Sequence, residues 1–243
     1  MNYGPLAPWY DELTGDVPYE AFAAYYESLF LCRGLRPATV LDLACGTGTL
    51  TCLMARRGYE MIGVDGSADM LAVAAEKAGE AALPVAPLYL CQDLTELDLY
   101  GTVEAAYSSL DGLNYLPPEA LPEVFRRLHL FIQPGGLLIF DINLPAHLRE
   151  LDGQVFVDED EDVLCLWRAD FDEEEACLYY GMDLFTRRGR LWQRDFEEHV
   201  EYAHEPAALE TLLRAAGFTD IEVRQDGPQS DRGRVFILAT REN

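Results

Sequence analysis

Val40-Leu41-Asp42-Leu43-Ala44-Cys45-Gly46-Thr47-Gly48-Thr49-Leu50 changes character twice within one short stretch. The run from Val40 to Leu43 is apolar apart from Asp42 and has the length of a buried strand. Cys45-Gly46-Thr47-Gly48 breaks it, and Leu50, Leu53 and Met54 then share one face of a helix. Strand, glycine turn and helix N-terminus in that order build a site for a nucleotide-like ligand. Gly46 and Gly48 are expected to let the backbone approach that ligand where a Cβ would collide. The free N–H groups of the helix start favour a negative group. A third glycine would complete the dinucleotide fingerprint G-x-G-x-x-G, but Thr51 stands there. Asp42 adds a strand-end carboxylate, which repels a pyrophosphate and accepts hydrogen bonds from an ammonium group.

The same grammar repeats downstream. Residues 59–65 read as a second strand closing on Gly63-Val64-Asp65-Gly66-Ser67, where an acid can grip both hydroxyls of a ribose. Ser67 caps a helix with Asp69 in its first turn, and Met70 there is either core or an adenine contact. Residues 84–90 read as a third strand ending in Cys91-Gln92-Asp93-Leu94. Asp93 can accept from an exocyclic amino group or simply cap a turn. Residues 103–109 form a fourth strand running into Leu110-Asp111-Gly112-Leu113-Asn114-Tyr115-Leu116. A helix begins at Pro117-Pro118-Glu119, and Gln133-Pro134-Gly135-Gly136 then turns into the apolar strand 137–143. Strands alternating with helices mean a parallel sheet with right-handed crossovers.

At Asn143 the pattern changes. Residues 154–202 read as three or four antiparallel strands, with hairpin turns near 158–161, 172–175 and 187–189. This insertion leaves the chain where the crevice opens, so it should cover the carboxyl ends of the fourth and fifth strands. Tyr180 and His199 within it are candidates for facing an acceptor. A helix from Pro206 to Gly217 and strands at 219–225 and 234–240 complete the chain. At the other end, Phe22, Tyr25, Tyr26, Leu29 and Phe30 recur at helical spacing. Tyr10 and Tyr19 precede that regular pattern and are expected to close the site opposite the insertion.

Asp42-x-x-x-Gly46-x-Gly48, Asp65, Asp93 and the Pro134-Gly135-Gly136 turn before an apolar strand resemble the motif series of class I S-adenosylmethionine (SAM)-dependent methyltransferases. The resemblance spans nearly the whole chain. It implies an α/β, Rossmann-like sheet of order 3-2-1-4-5-7-6 with an inserted antiparallel β subdomain. The implied divisions are an N-terminal helical cap over 1–36, a SAM-binding domain over 37–149 and 203–243, and a β insertion over 150–202 that covers the substrate site. The implied cofactor contacts are Tyr10, Tyr19, Asp42, Ala44, Cys45, Gly46, Gly48, Asp65, Gly66, Met70, Gln92, Asp93, Leu94, Ser109 and Asn114. Tyr10-Asp11, Asp16-Val17-Pro18-Tyr19, Leu113-Asn114-Tyr115-Leu116 and the acidic insertion are together similar to a group of small bacterial methyltransferases. Ala44 is a departure, because Gly-Cys-Gly is the usual form where this chain has Ala44-Cys45-Gly46.

Composition sets the outer bounds. The 243 residues suffice for one large domain, or for one carrying a smaller insert. A formal net charge of −25 argues against a nucleic-acid partner or an anionic membrane. There is no apolar run of membrane-spanning length, and the N-terminus shows no signal segment, so a cytoplasmic location is expected. The six cysteines include no C-x-x-C pair, which points to reduced thiols and no metal site. The oligomeric state is not legible. Methyl transfer from a sulfonium needs alignment more than a catalytic triad, and no triad is seen. Of His129, His147, His199 and His204, His199 is the candidate for a catalytic role, against a purely structural one. The function that fits is methyl transfer from SAM to a small-molecule acceptor. A non-catalytic SAM-binding module is the alternative, and Asp42 and Thr51 speak against a third reading, an NAD-type oxidoreductase.

Overall fold

The computed structural model describes residues 3–242. Residues 1, 2 and 243, and with them the outer ends of the 1–36 and 203–243 segments, lie outside the described residues. The elements in chain order begin with helices α1 (Tyr10–Leu13) and α2 (Tyr19–Cys32). Then follow β1 (Thr39–Leu43), α3 (Thr49–Arg56), β2 (Glu60–Asp65), α4 (Ala68–Glu80), β3 (Leu88–Cys91) and β4 (Val103–Ser108). Next come α5 (Leu121–Phe131), β5 (Ile132–Asn143) and α6 (Pro145–Glu150). Strands β6 (Val155–Glu159), β7 (Val163–Asp172), β8 (Cys177–Arg188) and β9 (Leu191–Tyr202) form the second sheet. The chain closes with α7 (Pro206–Ala215), β10 (Phe218–Arg224) and β11 (Arg234–Arg241).

The main sheet runs β3-β2-β1-β4-β5-β11-β10. Counted within that sheet alone, this is the order 3-2-1-4-5-7-6. Its first five strands are parallel, and β11 lies antiparallel between β5 and β10. Both faces are covered, which is why β1, β4 and β5 read as nearly continuous apolar runs. On one face α5 and α7 press Phe125, Leu128, Leu209 and Leu213 against Leu41, Leu138 and Phe140. On the other, α2 and α3 press Phe22, Tyr26, Phe30 and Met54 against Val40, Tyr107 and Ile139. Register places Leu43 beside Val64 and Ser108, so the ends of β1, β2 and β4 stand level. That level edge is where the loops converge.

Pro134-Gly135-Gly136 does not interrupt the fifth strand as the turn pattern suggests. β5 already pairs with β4 at Ile132 opposite Val103 and resumes at Leu137 opposite Ala105, so the glycines lie in a register shift in which residues 133–136 stand against Glu104 alone. A Cβ on Gly136 would stand 2.7 Å from the Glu104 carbonyl, so this position requires glycine.

The second sheet is antiparallel, in the order β6-β7-β8-β9. Its inner face buries Val163, Cys165, Met182 and Leu184 against Leu6, with Tyr3, Trp9, Tyr10 and Leu13 packed alongside. The expectation that Tyr10 closes the site opposite the insertion is therefore corrected. The N-terminal segment lies on the insertion, because its apolar side chains fill the inner face of that sheet.

Candidate functional site

A cavity of about 360 Å³ opens at the level edge of the main sheet, within the size range of small-molecule sites. Its walls come from strand ends and from the N-terminal segment. At the end of β1, Asp42 is only 2% exposed. Its Oδ2 accepts from Thr51 Oγ1 at 2.5 Å and from Tyr107 Oη at 3.0 Å. Burial pushes its carboxyl up to about 7; those two donors oppose the rise, and the charge of Asp65 adds to it. Thr51, in the place of a third glycine, is thus the partner that orients Asp42.

The turn after β1 bends through left-handed conformations at Ala44 (φ 52°), Gly46 (φ 54°) and Gly48 (φ 69°). Ala44, Cys45 and Gly46 line the cavity. A Cβ added to Gly46 would meet no atom within 4 Å, so a larger side chain there would stand in the cavity. Gly48 is a correction. It is not on the cavity wall, and its absent Cβ makes room for Tyr89 Oη at 2.5 Å and Ala74 Cβ at 2.9 Å. Its glycine serves the close approach of β3 and α4 to the turn.

At the end of β2, Asp65 ties two loops together. Its Oδ2 accepts from Gly46 N at 2.8 Å and its Oδ1 from Ser67 N at 2.8 Å. Burial raises its pKa, and these two amides work against the rise. A carboxylate offers about four acceptor sites, so both oxygens keep capacity for a ligand. Gly66 and Met70 continue the wall. At the end of β3, Gln92, Asp93 and Leu94 line the cavity. Asp93 caps the next turn through Thr95 N at 2.8 Å and Thr95 Oγ1 at 2.6 Å, which hold its carboxyl below the usual range. Gln92 exchanges two hydrogen bonds with the Asp98 backbone, so its amide steadies the loop.

The far wall follows β4. Ser109 lines it, with its Oγ 2.7 Å from Tyr26 Oη. Leu110 and Asp111 are both left-handed, each at φ 56°. The carboxylate of the fully buried Asp141 accepts from Leu110 N at 3.0 Å and Asp111 N at 2.9 Å. Arg234 donates to Asp141 and reaches Asp111 Oδ1 at 2.6 Å. Burial disfavours the charge on this guanidinium, but Asp141 and Asp111 outweigh it and hold the proton more firmly than usual.

Tyr3, Tyr10 and Tyr19 close the cavity from the N-terminal segment. Asp11 fastens that segment to the β1 turn. It accepts from Thr47 Oγ1 at 2.6 Å and Thr49 Oγ1 at 3.0 Å, and pairs with Lys77 Nζ at 2.5 Å.

Three further candidates stand behind the wall. Asn114 is fully buried, donating to Asn143 O and Tyr202 O and accepting from Asn143 N. It clasps β5 and β9 to the turn after β4, and a side chain so engaged has no free face for a cofactor. Tyr180 packs with Leu148, Ala169 and Leu178 and meets Trp167 edge to face. His199 is 3% exposed, bonds Glu197 Oε2 at 3.1 Å and stacks on Tyr3 with ring centroids 4.5 Å apart. Tyr3 therefore stands between His199 and the cavity. Nearby, burial and the charge of Asp111 push the Glu201 carboxyl up to about 8. Tyr3, Asp111, Tyr115, Gln229 and Arg234 line the cavity without having been singled out as site residues. Tyr3, Gln229 and Arg234 come there from distant segments, whereas Asp111 and Tyr115 lie in the turn after β4.

The donor set fits SAM. It offers carboxylates at three successive strand ends, an open glycine turn and tyrosines along one side. The profile of a methyltransferase domain family matches residues 40–136. YqeM of Bacillus subtilis (strain 168), assigned to the methyltransferases by name, is 29% identical over 248 residues, covering 99% of this chain and 98% of that one. Trans-aconitate 2-methyltransferase of Azoarcus sp. (strain BH72) is 31% identical over 193 residues, covering 74% of this chain and 68% of that one. Among solved structures, a SAM-dependent methyltransferase from Clostridium acetobutylicum ATCC 824 superposes with a TM-score of 0.85 at 26% identity, covering 99% of both chains.

Proposed function

The chain belongs to the class I SAM-dependent methyltransferases, and from that premise we propose that it transfers a methyl group to a small-molecule acceptor by in-line displacement. The observation that carries the site assignment is Asp65, whose carboxylate takes one amide from the β1 turn and one from the start of α4 while bordering the cavity. In this reading Asp65 holds both ribose hydroxyls of SAM, and Asp42 with the Gly46 turn holds the methionine end. Asp93 receives the exocyclic amino group of adenine between Met70 and Leu94, while Tyr10 and Tyr19 cover the donor. The small-molecule acceptor is in keeping with the Azoarcus relative, which is named for trans-aconitate.

SAM supplies an activated methyl on a sulfonium, and the chain supplies alignment and exclusion of water. Alignment is worth about 7–11 kcal/mol in well-oriented systems, so no side chain need attack the methyl. The insertion is read as the acceptor-side cover, supported by the Asn114 clasp between β9 and the turn after β4. His199 would act on the acceptor only through the stacked Tyr3, as a positioning residue backed by Glu197. Tyr180 packs on the same inner face. Six free thiols are in keeping with a cytoplasmic location.

Calorimetry with SAM and S-adenosylhomocysteine tests the site. Gly46→Val should abolish binding of both in a folded protein, and unchanged affinity would put the cofactor elsewhere. Acceptor-dependent conversion of SAM to S-adenosylhomocysteine separates a transferase from a module that only binds SAM.

A further inference from the structure

The second sheet has one face without a cover. Cross-strand register assigns residues to it directly. Val157, Leu166, Asp183 and Phe196 form one row across β6, β7, β8 and β9. The next row toward the hairpin ends adds Leu164 and Phe185. Val155 and Trp192 flank these rows on the same face. Val155 is 60% exposed, Val157 57%, Trp192 49% and Phe196 54%. The opposite face is the one buried on Leu6 and the N-terminal segment. Arg168, Arg194, Glu159 and Glu198 share these rows, and an exposed apolar patch bordered by polar residues in this way marks an interaction surface.

Its one buried charge is already neutralised. Asp183 pairs with Arg168 Nη1 at 2.5 Å and accepts from Arg194 Nε at 2.7 Å. Covering the face would therefore keep Asp183 paired, while the face's other carboxylates, Glu159 and Glu198, lie on its two edge strands.

The edges of the face carry opposite charge at the same end. The end of β6 and its turn to β7 hold Asp158, Glu159, Asp160, Glu161 and Asp162. The end of β8 and its turn to β9 hold Arg187, Arg188 and Arg190, and Arg187 N donates to Asp162 O, which fixes both turns at one end. Among the described residues, Arg188 and Arg190 make no ion pair, and Arg187 meets Asp162 only at 3.8 Å.

We propose that this outer face is a dimer interface whose occupant is the same face of a second copy of the chain. A two-fold axis running along the strands, between the two faces, reverses the strand order and keeps the turn ends together. It sets the acidic β6 edge of one copy against the basic β9 edge of the other, twice. Sheets stacked in this way keep their strands within about 30° of each other. Four strands spaced about 4.8 Å apart and about ten residues long outline roughly 650 Å² per copy. The pair then buries roughly 1,300 Å², inside the range of about 1,200–2,000 Å² for stable specific interfaces. The self-complementary charge pattern favours this partner over an unrelated protein.

Sedimentation velocity of the full chain, from micromolar to tens of micromolar, tests the proposal. A dimer is expected, and Phe196→Glu or Val157→Glu should halve the mass while circular dichroism shows the fold intact. The double substitution Arg188→Glu with Arg190→Glu should weaken association by about tenfold or more. Adding Asp160→Arg and Glu161→Arg to that variant should restore it. A wild-type chain that stays monomeric, a dimer indifferent to Phe196→Glu, or charge reversals that fail to compensate would each overturn the proposal.

Discussion

Two turns border the cavity in left-handed conformation, one after β1 and one after β4. The first places Gly46 and Gly48 at positive φ, where glycine carries no Cβ penalty. The second places Leu110 and Asp111 there, at a cost of about 1–2 kcal/mol per residue. What holds the second is Asp141, one strand away, which accepts both amides, and Arg234 behind it. The first turn meets positive φ with two glycines and one alanine, Ala44, whereas the second has no glycine there and rests on a buried ionic anchor from strands β5 and β11. Four of the six described non-glycine residues at positive φ, Ala44, Leu110, Asp111 and Gln229, line the cavity. Backbone strain is thus gathered at the site.

The largest expected effect tests the anchor. Asp141→Ala leaves Arg234 buried beside two unpaired amides and should cost about 3–5 kcal/mol in urea denaturation. A loss below about 1 kcal/mol would mean that the β4 turn holds itself, and the contrast between the turns would fail.

Next comes the acid on the β1 side. The folded carboxyl of Asp42 is raised from 3.8 to about 7, so between those values the folded state binds more protons than the unfolded. Stability from this group is full below 3.8 and is lost as pH rises through 7. Asp42→Asn should remove that loss, on the order of 2–4 kcal/mol, with the gain over wild type appearing only at the alkaline end. Equal slopes of stability against pH for the two proteins would show that Asp42 is ordinarily ionised. Asp65→Ala should weaken SAM binding by about 1.5–3 kcal/mol, roughly tenfold to a hundredfold. An unchanged calorimetric affinity would remove Asp65 from the site. The smallest effect is Ala44→Gly. Relief of the left-handed alanine and the added backbone entropy of glycine nearly cancel, leaving a change within about 1 kcal/mol in thermal unfolding.

The same contrast explains what could be read from the sequence. The β1 turn, Asp65 and Asp93 were legible because each chemistry-bearing residue sits at a strand end beside the glycine or cap that shapes it. Strand order followed from the resemblance rather than from the residues. Arg234 opens an apolar strand far along the chain from Asp111 and Asp141, and no local pattern announces their meeting. Asn114 lies in a motif that pointed to the cofactor, but its amide is consumed by backbone groups of β5 and β9. Gly48 was assigned to the ligand because spacing cannot tell on which side a glycine admits a neighbour. Tyr3 entered the wall unannounced because its place depends on the inner face of a sheet formed much later in the chain.

Lys77 is the only lysine in the chain, and its ammonium is held by Asp11, Thr49 and Thr47. Acylating or reductively alkylating reagents directed at amines therefore have one side-chain target. Lys77 is one-quarter exposed while paired with Asp11, and lifting of the N-terminal segment that carries Tyr3 and Tyr10 should free it and speed its labelling. The rate of labelling at Lys77, followed by mass spectrometry with and without SAM, becomes a clock for that opening, with no engineered tag or introduced cysteine.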